Sequence, residues 1–371
     1  MKRRQKQRTV REQHRQTRRT NRQARRAQKD STPPRRKLAL ALQGGGSHGA
    51  FTWGVLDRLL DETTIDIVGV TGTSAGAMSG ALLVDGLLDG GPTQARAKLR
   101  RYWEAVGAAP GFGSFFSGVS GEEAANTALE SIPACAEKMR QNLSPYDLSP
   151  SNSALHLLLS ELIDFNRMRL QNKIQLTICA TNARTAKRRV FTNHDSSFEV
   201  LLASTCLPQY FRAVEIDGEA YWDGGWTGNP ALAPLLTKMP DCDLIIVRVD
   251  PVHRRELPRS LPEIFNRTLE IRARTRRFGW NSARLPSCCV LLMNGGRRLG
   301  EYDFILLKLA RSWKNFPVSS KLNNYPPLLE YLFDLGRQTC DRWIAQHGEA
   351  LCQRSTLDVQ QLLPGHIWDN L

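Results

Sequence analysis

Gly72-Thr73-Ser74-Ala75-Gly76 follows the apolar run Ile65 to Val70 and opens into the helix-like segment Ala77 to Leu88. A strand that turns this sharply into a helix leaves its central side chain, Ser74, exposed at the strand end, and the flanking glycines relieve the crowding of so tight a turn. The start of the helix also brings amide N–H groups and the positive end of its dipole toward any negative charge that develops there. G-x-S-x-G alone is a weak signal, because small residues also collect at ordinary strand-to-helix turns. Its neighbours decide the reading.

Upstream, Leu38-Ala39-Leu40-Ala41-Leu42 is wholly apolar and fits a buried parallel strand, and it runs into Gln43-Gly44-Gly45-Gly46-Ser47-His48-Gly49. Ala50, Phe51, Val55, Leu56, Leu59 and Leu60 then fall at spacings that build one apolar helix face. Three glycines before a helix let backbone N–H groups approach an anion, whether a phosphate or an oxyanion. The same residues satisfy G-x-G-x-x-G, so a dinucleotide site is an alternative. Asp66 lies at about the right distance for a ribose, but it begins the run leading to Ser74 instead of ending a second strand, which disfavours that reading. No Lys-Ser or Lys-Thr follows the glycines, so a Walker loop fails.

The third element is Ala220-Tyr221-Trp222-Asp223-Gly224-Gly225-Trp226, preceded by Phe211 to Ile216 and a turn at Asp217-Gly218, which reads as a hairpin. Asp-Gly-Gly is common turn chemistry when it stands alone. Together and in this order, the three elements resemble the patatin-like phospholipase family over roughly Leu38 to Asp250, with Ala203-Ser204-Thr205-Cys206-Leu207-Pro208 similar to the family's helix end before the Asp-bearing hairpin.

The resemblance implies a patatin-like α/β fold, with Ser74 as nucleophile and Asp223 as its general base in a dyad. It also implies an oxyanion hole from the amides of Gly44, Gly45 and Gly46. The remaining motif glycines are Gly49, Gly72, Gly76, Gly224 and Gly225. The implied substrates are carboxylic esters of phospholipids or lysophospholipids. The family usually carries Arg or Lys where this chain has His48, which leaves the amides untouched but removes a permanent charge from the loop.

The residues by themselves support acyl-ester hydrolysis and leave a rival mechanism open. Ser74, Asp223 and His253 follow the chain order of a Ser-Asp-His triad, although His253 sits in the polar stretch Pro251-Val252-His253-Arg254-Arg255. In the dyad reading a carboxylate, whose pKa is ordinarily about 3.9, is a weak base. Asp223 is therefore expected in a partly desolvated place. A different class of function, a catalytically inactive hydrolase fold that binds membrane or nucleic acid through a basic tail, is the alternative.

That tail is residues 1–37, which hold 16 Lys and Arg against Glu12 and Asp30; the remaining 334 residues carry 35 basic against 34 acidic side chains. Val10 is almost its only apolar side chain before Pro33, so it is expected to be disordered, and it has no apolar stretch of the secretory type. Such a tail fits either peripheral contact with an anionic membrane or a plain solvated extension, and nucleic acid is the less favoured partner. Residues 38–255 are expected to form the hydrolase core.

Strands are predicted at Leu38 to Leu42, Ile67 to Val70, Ile174 to Thr181, Arg189 to Thr192 and Leu244 to Val249, with helical patterns between most of them. This alternation predicts a three-layer α/β/α sandwich around a mainly parallel central sheet. Residues 256–371 read as a helical extension packed on the core, with helices at Pro262 to Arg277, Tyr302 to Trp313, Pro327 to His347 and Leu357 to Leu363, and with little catalytic chemistry. Ser319-Ser320 and Ser355-Thr356 read as turn or cap residues near the starts of the last two.

Phe112 to Ser120 reads as a surface loop or a lid, and the Arg184, Lys187, Arg188 and Arg189 cluster as a solvated hairpin. The eight cysteines lack C-x-x-C spacing and read as reduced thiols of a cytosolic protein. No cofactor or metal is expected.

Overall fold

The computed structural model describes residues 35–108, 144, 146, 153–208, 211–239, 242–250, 257–259, 264, 267–268, 304–308, 320–321 and 323–350. The chain divides into Met1–Arg36 and Lys37–Leu371, and the second unit carries the sheet and the site. The expectations for the basic tail, the Phe112 to Ser120 loop, His253, Ser355-Thr356 and the segment Leu357 to Leu363 lie outside the described residues.

In chain order the elements are β1 (Arg36–Leu42), α1 (Gly49–Leu59), β2 (Ile65–Gly72), α2 (Ala75–Gly90), α3 (Pro92–Ala108), α4 (Ser153–Leu162), α5 (Phe165–Leu170), β3 (Gln175–Asn182), β4 (Arg188–Thr192), α6 (Phe198–Thr205), β5 (Val214–Ile216), β6 (Glu219–Asp223), α7 (Ala233–Lys238), β7 (Asp243–Arg248), β8 (Phe304–Lys308) and α8 (Pro326–His347). Short 3-10 turns follow the glycine loop, at Gly46–His48, and the Asp-bearing strand, at Gly224–Trp226.

The strands form one sheet in the order β5-β6-β3-β2-β1-β7-β8, with β4 also paired to β3. Pairs β1/β7, β2/β3 and β7/β8 are parallel, and β3/β4, β3/β6 and β5/β6 are antiparallel. The apolar runs of β1, β3 and β7 are buried along nearly their whole length, as strands covered on both faces must be.

Two adjacent positions on β2 show the three layers directly, because neighbouring strand residues point to opposite faces. Val70 packs against Gly80 of α2, whereas the α-carbon of Gly69 faces Leu235 of α7 and Met239 just beyond it. The core around α2 gathers Phe51, Leu42, Met78, Leu82, Leu99, Trp103 and Leu176, each almost wholly buried. A Leu-to-Ala change at such a position costs about 2–5 kcal/mol.

The long helix α8 lies tightly against α1. A methyl group at Gly54 would meet the Phe333 carbonyl oxygen at 1.9 Å, and one at Gly336 would meet that of Phe51 at 2.1 Å, so glycine on both partners permits the close crossing. Trp53 packs against Phe333 with ring centroids 4.1 Å apart and planes tilted by 40°, and Arg337 pairs with both Asp57 and Asp61.

One expectation for the C-terminal extension fails. The sequence predicts a helix over Tyr302 to Trp313, but Phe304–Lys308 forms β8, which extends the sheet beside β7. A short apolar run such as Phe304-Ile305-Leu306-Leu307 fits either a buried strand or a buried helix, and a free sheet edge decides between them. Ser320 lies in the turn before α8 and does not cap it, since the N-cap is Tyr325 with no side-chain hydrogen bond; the Ser320 hydroxyl meets His48.

Candidate active site

β2 delivers the chain to Ser74, which takes φ 55° and ψ −127° before α2 begins at Ala75. A side chain held in this sparsely populated region costs on the order of 1–3 kcal/mol, so the surroundings must fix it. They do so from several sides. The Thr73 N–H donates to the Leu42 carbonyl of β1 at 3.3 Å, and the Thr73 hydroxyl donates to the Gly228 carbonyl at 2.7 Å. The Ser74 N–H donates to the Ser204 hydroxyl at 2.9 Å, and that hydroxyl donates to the Cys179 carbonyl at 2.7 Å. The turn admits only glycine at its end, since a β-carbon on Gly76 would lie 2.3 Å from the Leu42 carbonyl oxygen.

Strand register brings the acid to the serine. Gly72 on β2 pairs with Ile178 on β3, and two residues further along β3, Ala180 pairs with Asp223 at the end of β6. Ser74 lies two residues beyond Gly72, so the hydroxyl and the carboxylate arrive at one level of the sheet from strands that both pair with β3. The Ser74 hydroxyl stands near enough to the Asp223 carboxylate to pull its pKa down.

Asp223 is 4% exposed. Its Oδ1 accepts the Gly225 N–H at 2.6 Å, its backbone N–H donates to the Cys206 carbonyl at 2.7 Å, and its carbonyl accepts the Thr181 hydroxyl at 2.9 Å. Burial raises its pKa from 3.8 to about 6, against the opposing pull of the Gly225 amide, the Ser74 hydroxyl and the Lys321 charge. Gly224 follows in the tight turn that sets this amide over the carboxylate.

The glycine loop sits against the elbow. A β-carbon on Gly44 would fall 2.5 Å from the Thr73 carbonyl oxygen and 2.7 Å from the Ser74 β-carbon, and Gly49 abuts Ala75. Gly46 has φ 57°, and its α-carbon is covered by the Lys321 carbonyl oxygen.

Of the three expected oxyanion donors, Gly44 is already engaged. Its N–H donates to Asn229 Oδ1 at 2.6 Å, and its carbonyl accepts Asn229 Nδ2 at 3.1 Å. Gly45 and Gly46 open a short helical turn, where the first N–H groups have no intrahelical acceptor. Among the described residues these two amides donate no hydrogen bond.

His48 is buried, and its Nε2 lies 2.8 Å from the Ser320 hydroxyl. Burial, reinforced by the nearby Lys321 charge, lowers its pKa to about 3, so the imidazole is neutral at physiological pH.

Sequence reading missed several residues that hold this arrangement. No part falls to Asn229 in the sequence, and Gln43 stands there only as the first residue of the glycine-rich stretch. The Gln43 side chain is fully buried; its Nε2 donates to Asp250 at 3.0 Å, and its Oε1 accepts the Val249 and Asp250 amides at 2.9 and 3.1 Å. A fully buried amide in a glycine loop is the one signal that points to a partner. The extension also contributes to the site, through Ser320 and Lys321, to which the sequence assigns no such part.

A doubly covered, mainly parallel sheet with a strained serine at one strand end and a buried aspartate beside it defines a class of α/β hydrolytic architecture. The patatin-like phospholipase family model matches residues 40–236, just over half of the chain, and the chain belongs to that family. Membership places it among lipid acyl hydrolases in general.

Among solved structures, VipD from Legionella pneumophila is 17% identical, covering 82% of this chain and 67% of its own, with a TM-score of 0.30. The type III effector ExoU is 16% identical, covering 85% and 54%, with a TM-score of 0.35. ExoU in its heterodimeric complex with SpcU from Pseudomonas aeruginosa is 14% identical, covering 84% and 53%, with a TM-score of 0.27. The chain thus spans about half the length of ExoU, and the family assignment rests on the sequence match. No curated protein matches the chain significantly. No described helix is long and apolar enough to cross a membrane.

Proposed function

We propose that the protein hydrolyses carboxylic esters of phospholipids or lysophospholipids through a Ser74–Asp223 dyad and an acyl-enzyme. The observation that carries this reading is the buried Asp223 carboxylate, raised toward neutrality and brought by strand register to the level of a serine held at positive φ.

Asp223 accepts the Ser74 proton as Oγ attacks the ester carbon, and the N–H groups of Gly45 and Gly46 receive the developing oxyanion. The alcohol departs with the proton that Asp223 returns. Water then attacks the acyl-serine with the same base and the same donors, releasing the fatty acid and restoring Ser74. A base near pKa 6 narrows the gap to the serine hydroxyl relative to an ordinary carboxylate, and oxyanion donors typically contribute about 10²–10³ each in rate.

The test is phospholipid hydrolysis by the full chain and by Ser74→Ala, Asp223→Asn and His253→Ala. The dyad requires near-complete loss in the first two and retention in the third. Loss in His253→Ala at wild-type stability replaces the dyad with a triad. Basic residues 1–37 are proposed to bring the enzyme to anionic lipid surfaces, measured as vesicle co-sedimentation against a chain beginning at Lys37; equal binding by both removes the tail from that role.

A further inference from the structure

The end of α6 touches both members of the dyad. The Ser204 hydroxyl, wholly buried, accepts the Ser74 N–H at 2.9 Å, and two residues on, the Cys206 carbonyl accepts the Asp223 N–H at 2.7 Å. Ser204 also donates to the Cys179 carbonyl of β3 at 2.7 Å. That carbonyl oxygen lies against the turn that follows the base, 2.1 Å from where a β-carbon on Gly224 would stand. One hydroxyl thus joins the peptide of the nucleophile to the strand on which the Asp223 turn rests.

The peptide between Thr73 and Ser74 is the part of the elbow that this bond controls. Its carbonyl accepts the Gly76 N–H at 2.9 Å and lies 2.5 Å from a β-carbon placed on Gly44, while its N–H is held by Ser204. Rotation of that peptide is the route by which Ser74 would leave its φ of 55°, a conformation that persists only where the surroundings over-determine it. With the peptide held at both ends, the direction of the Ser74 Cα–Cβ bond is fixed, and with it the place from which Oγ attacks.

We propose that Ser204 is a positioning residue of this site: its hydroxyl locks the Thr73–Ser74 peptide against β3, so that the end of α6 sets how Ser74 approaches Asp223. The role rests on the dyad reading in that it assigns this lock a part in catalysis. Ser204 acts through the backbone of the nucleophile and not on the substrate.

Thr205, the next residue, supplies the control. Its hydroxyl donates to the Leu201 and Leu202 carbonyls of its own helix, at 3.2 and 3.1 Å. Thr205→Ala therefore removes a hydroxyl from the same turn of α6 and leaves the bonds to the elbow in place.

The experiment compares the full wild-type chain with Ser204→Ala, Ser204→Cys and Thr205→Ala. It measures kcat and KM on a short-chain ester, the rate of fluorophosphonate labelling at Ser74 and hydrogen exchange of the Ser74 amide, with the unfolding temperature recorded for each chain. Ser204→Ala is expected to lower kcat and the labelling rate by about ten- to a hundred-fold at an unchanged KM, and to speed exchange of the Ser74 amide by at least about ten-fold. Ser204→Cys keeps a weak donor and acceptor of similar size, so it is expected to lose about three- to ten-fold in kcat. It decides the case alone if Ser204→Ala does not fold. Thr205→Ala should match wild type in all three readouts.

Folded Ser204 variants with wild-type kcat overturn the proposal, whatever their KM or unfolding temperature. An equal fall in kcat in Thr205→Ala overturns it as well, because the loss then belongs to the helix and not to the lock. An amide that exchanges alike in all four chains removes the lock itself. If the wild type neither hydrolyses ester nor takes the label, while the Ser74 amide exchanges faster only in the Ser204 variants, the hydrolase reading falls and the hold of Ser204 on the elbow stands.

Discussion

Asn229 grips Gly44 by both of its peptide groups: Oδ1 takes the N–H at 2.6 Å and Nδ2 gives to the carbonyl at 3.1 Å. The two residues lie 185 positions apart, and the grip anchors the glycine loop to the segment just beyond Asp223. It also engages the Gly44 N–H, so the proposed oxyanion donors are Gly45 and Gly46.

Asn229→Ala leaves both groups of the buried Gly44 unsatisfied. At about 1–1.5 kcal/mol for each lost bond, the chain is expected to lose roughly 2–3 kcal/mol of stability. Hydrolysis should fall by about ten- to a hundred-fold through misplaced donors. Denaturant unfolding and kcat/KM are the readouts; unchanged activity at reduced stability shows that the grip serves the fold alone.

A methyl group at Gly46 has no room beside the Lys321 carbonyl oxygen and demands the positive φ that alanine disfavours. Gly46→Ala is expected to reduce kcat by on the order of 10²-fold while changing KM little, because the donor amide acts on the transition state. Steady-state kinetics on a short-chain ester would separate this from a loss of lipid binding.

The acid–base state of Asp223 sets a pH limit with a definite sign. The base must be ionised to accept the Ser74 proton, so kcat/KM should rise with pH through about 6 and then level off. The same shift affects stability in the opposite sense. A carboxyl whose pKa is raised from 3.8 to about 6 binds its proton more tightly when folded, so it withdraws stability as pH climbs across that window. At pH 8, Asp223→Asn is expected to be inactive yet more stable than wild type by on the order of 2–3 kcal/mol. Chemical denaturation at pH 4 and pH 8 measures it; equal gains at both contradict the shift.

His48 runs the other way. Its pKa is lowered from 6.5 to about 3, so the unfolded chain takes up a proton that the folded chain refuses, and stability declines as pH falls below 6.5. His48→Gln, which can still meet Ser320, is expected to flatten the stability profile between pH 6.5 and 5. An unchanged slope there would mean that the imidazole titrates normally.

The parts legible in the sequence are those encoded by short local patterns. The elbow at Ser74, the glycine loop, the Asp223 turn and most strands of the sheet each announce themselves within about ten residues, because tight turns and buried strands restrict composition locally. What supports them is not local. Gln43 meets Asp250 across 207 positions, and Lys321 meets Asp250 across 71; neither residue type is unusual where it stands. The strand Phe304–Lys308 escapes sequence reading for the same reason, since its identity depends on the exposed edge of β7 and not on its own four apolar residues.

The central claim, that Asp223 activates Ser74, is tested most directly by covalent labelling with a fluorophosphonate followed by intact-mass and peptide mapping. Wild type should carry one adduct on Ser74, formed at a rate that rises with pH through about 6. Ser74→Ala should carry none, and Asp223→Asn should react at least about a hundred-fold more slowly at every pH. An adduct on another residue, or equal labelling rates in wild type and Asp223→Asn, would contradict the account.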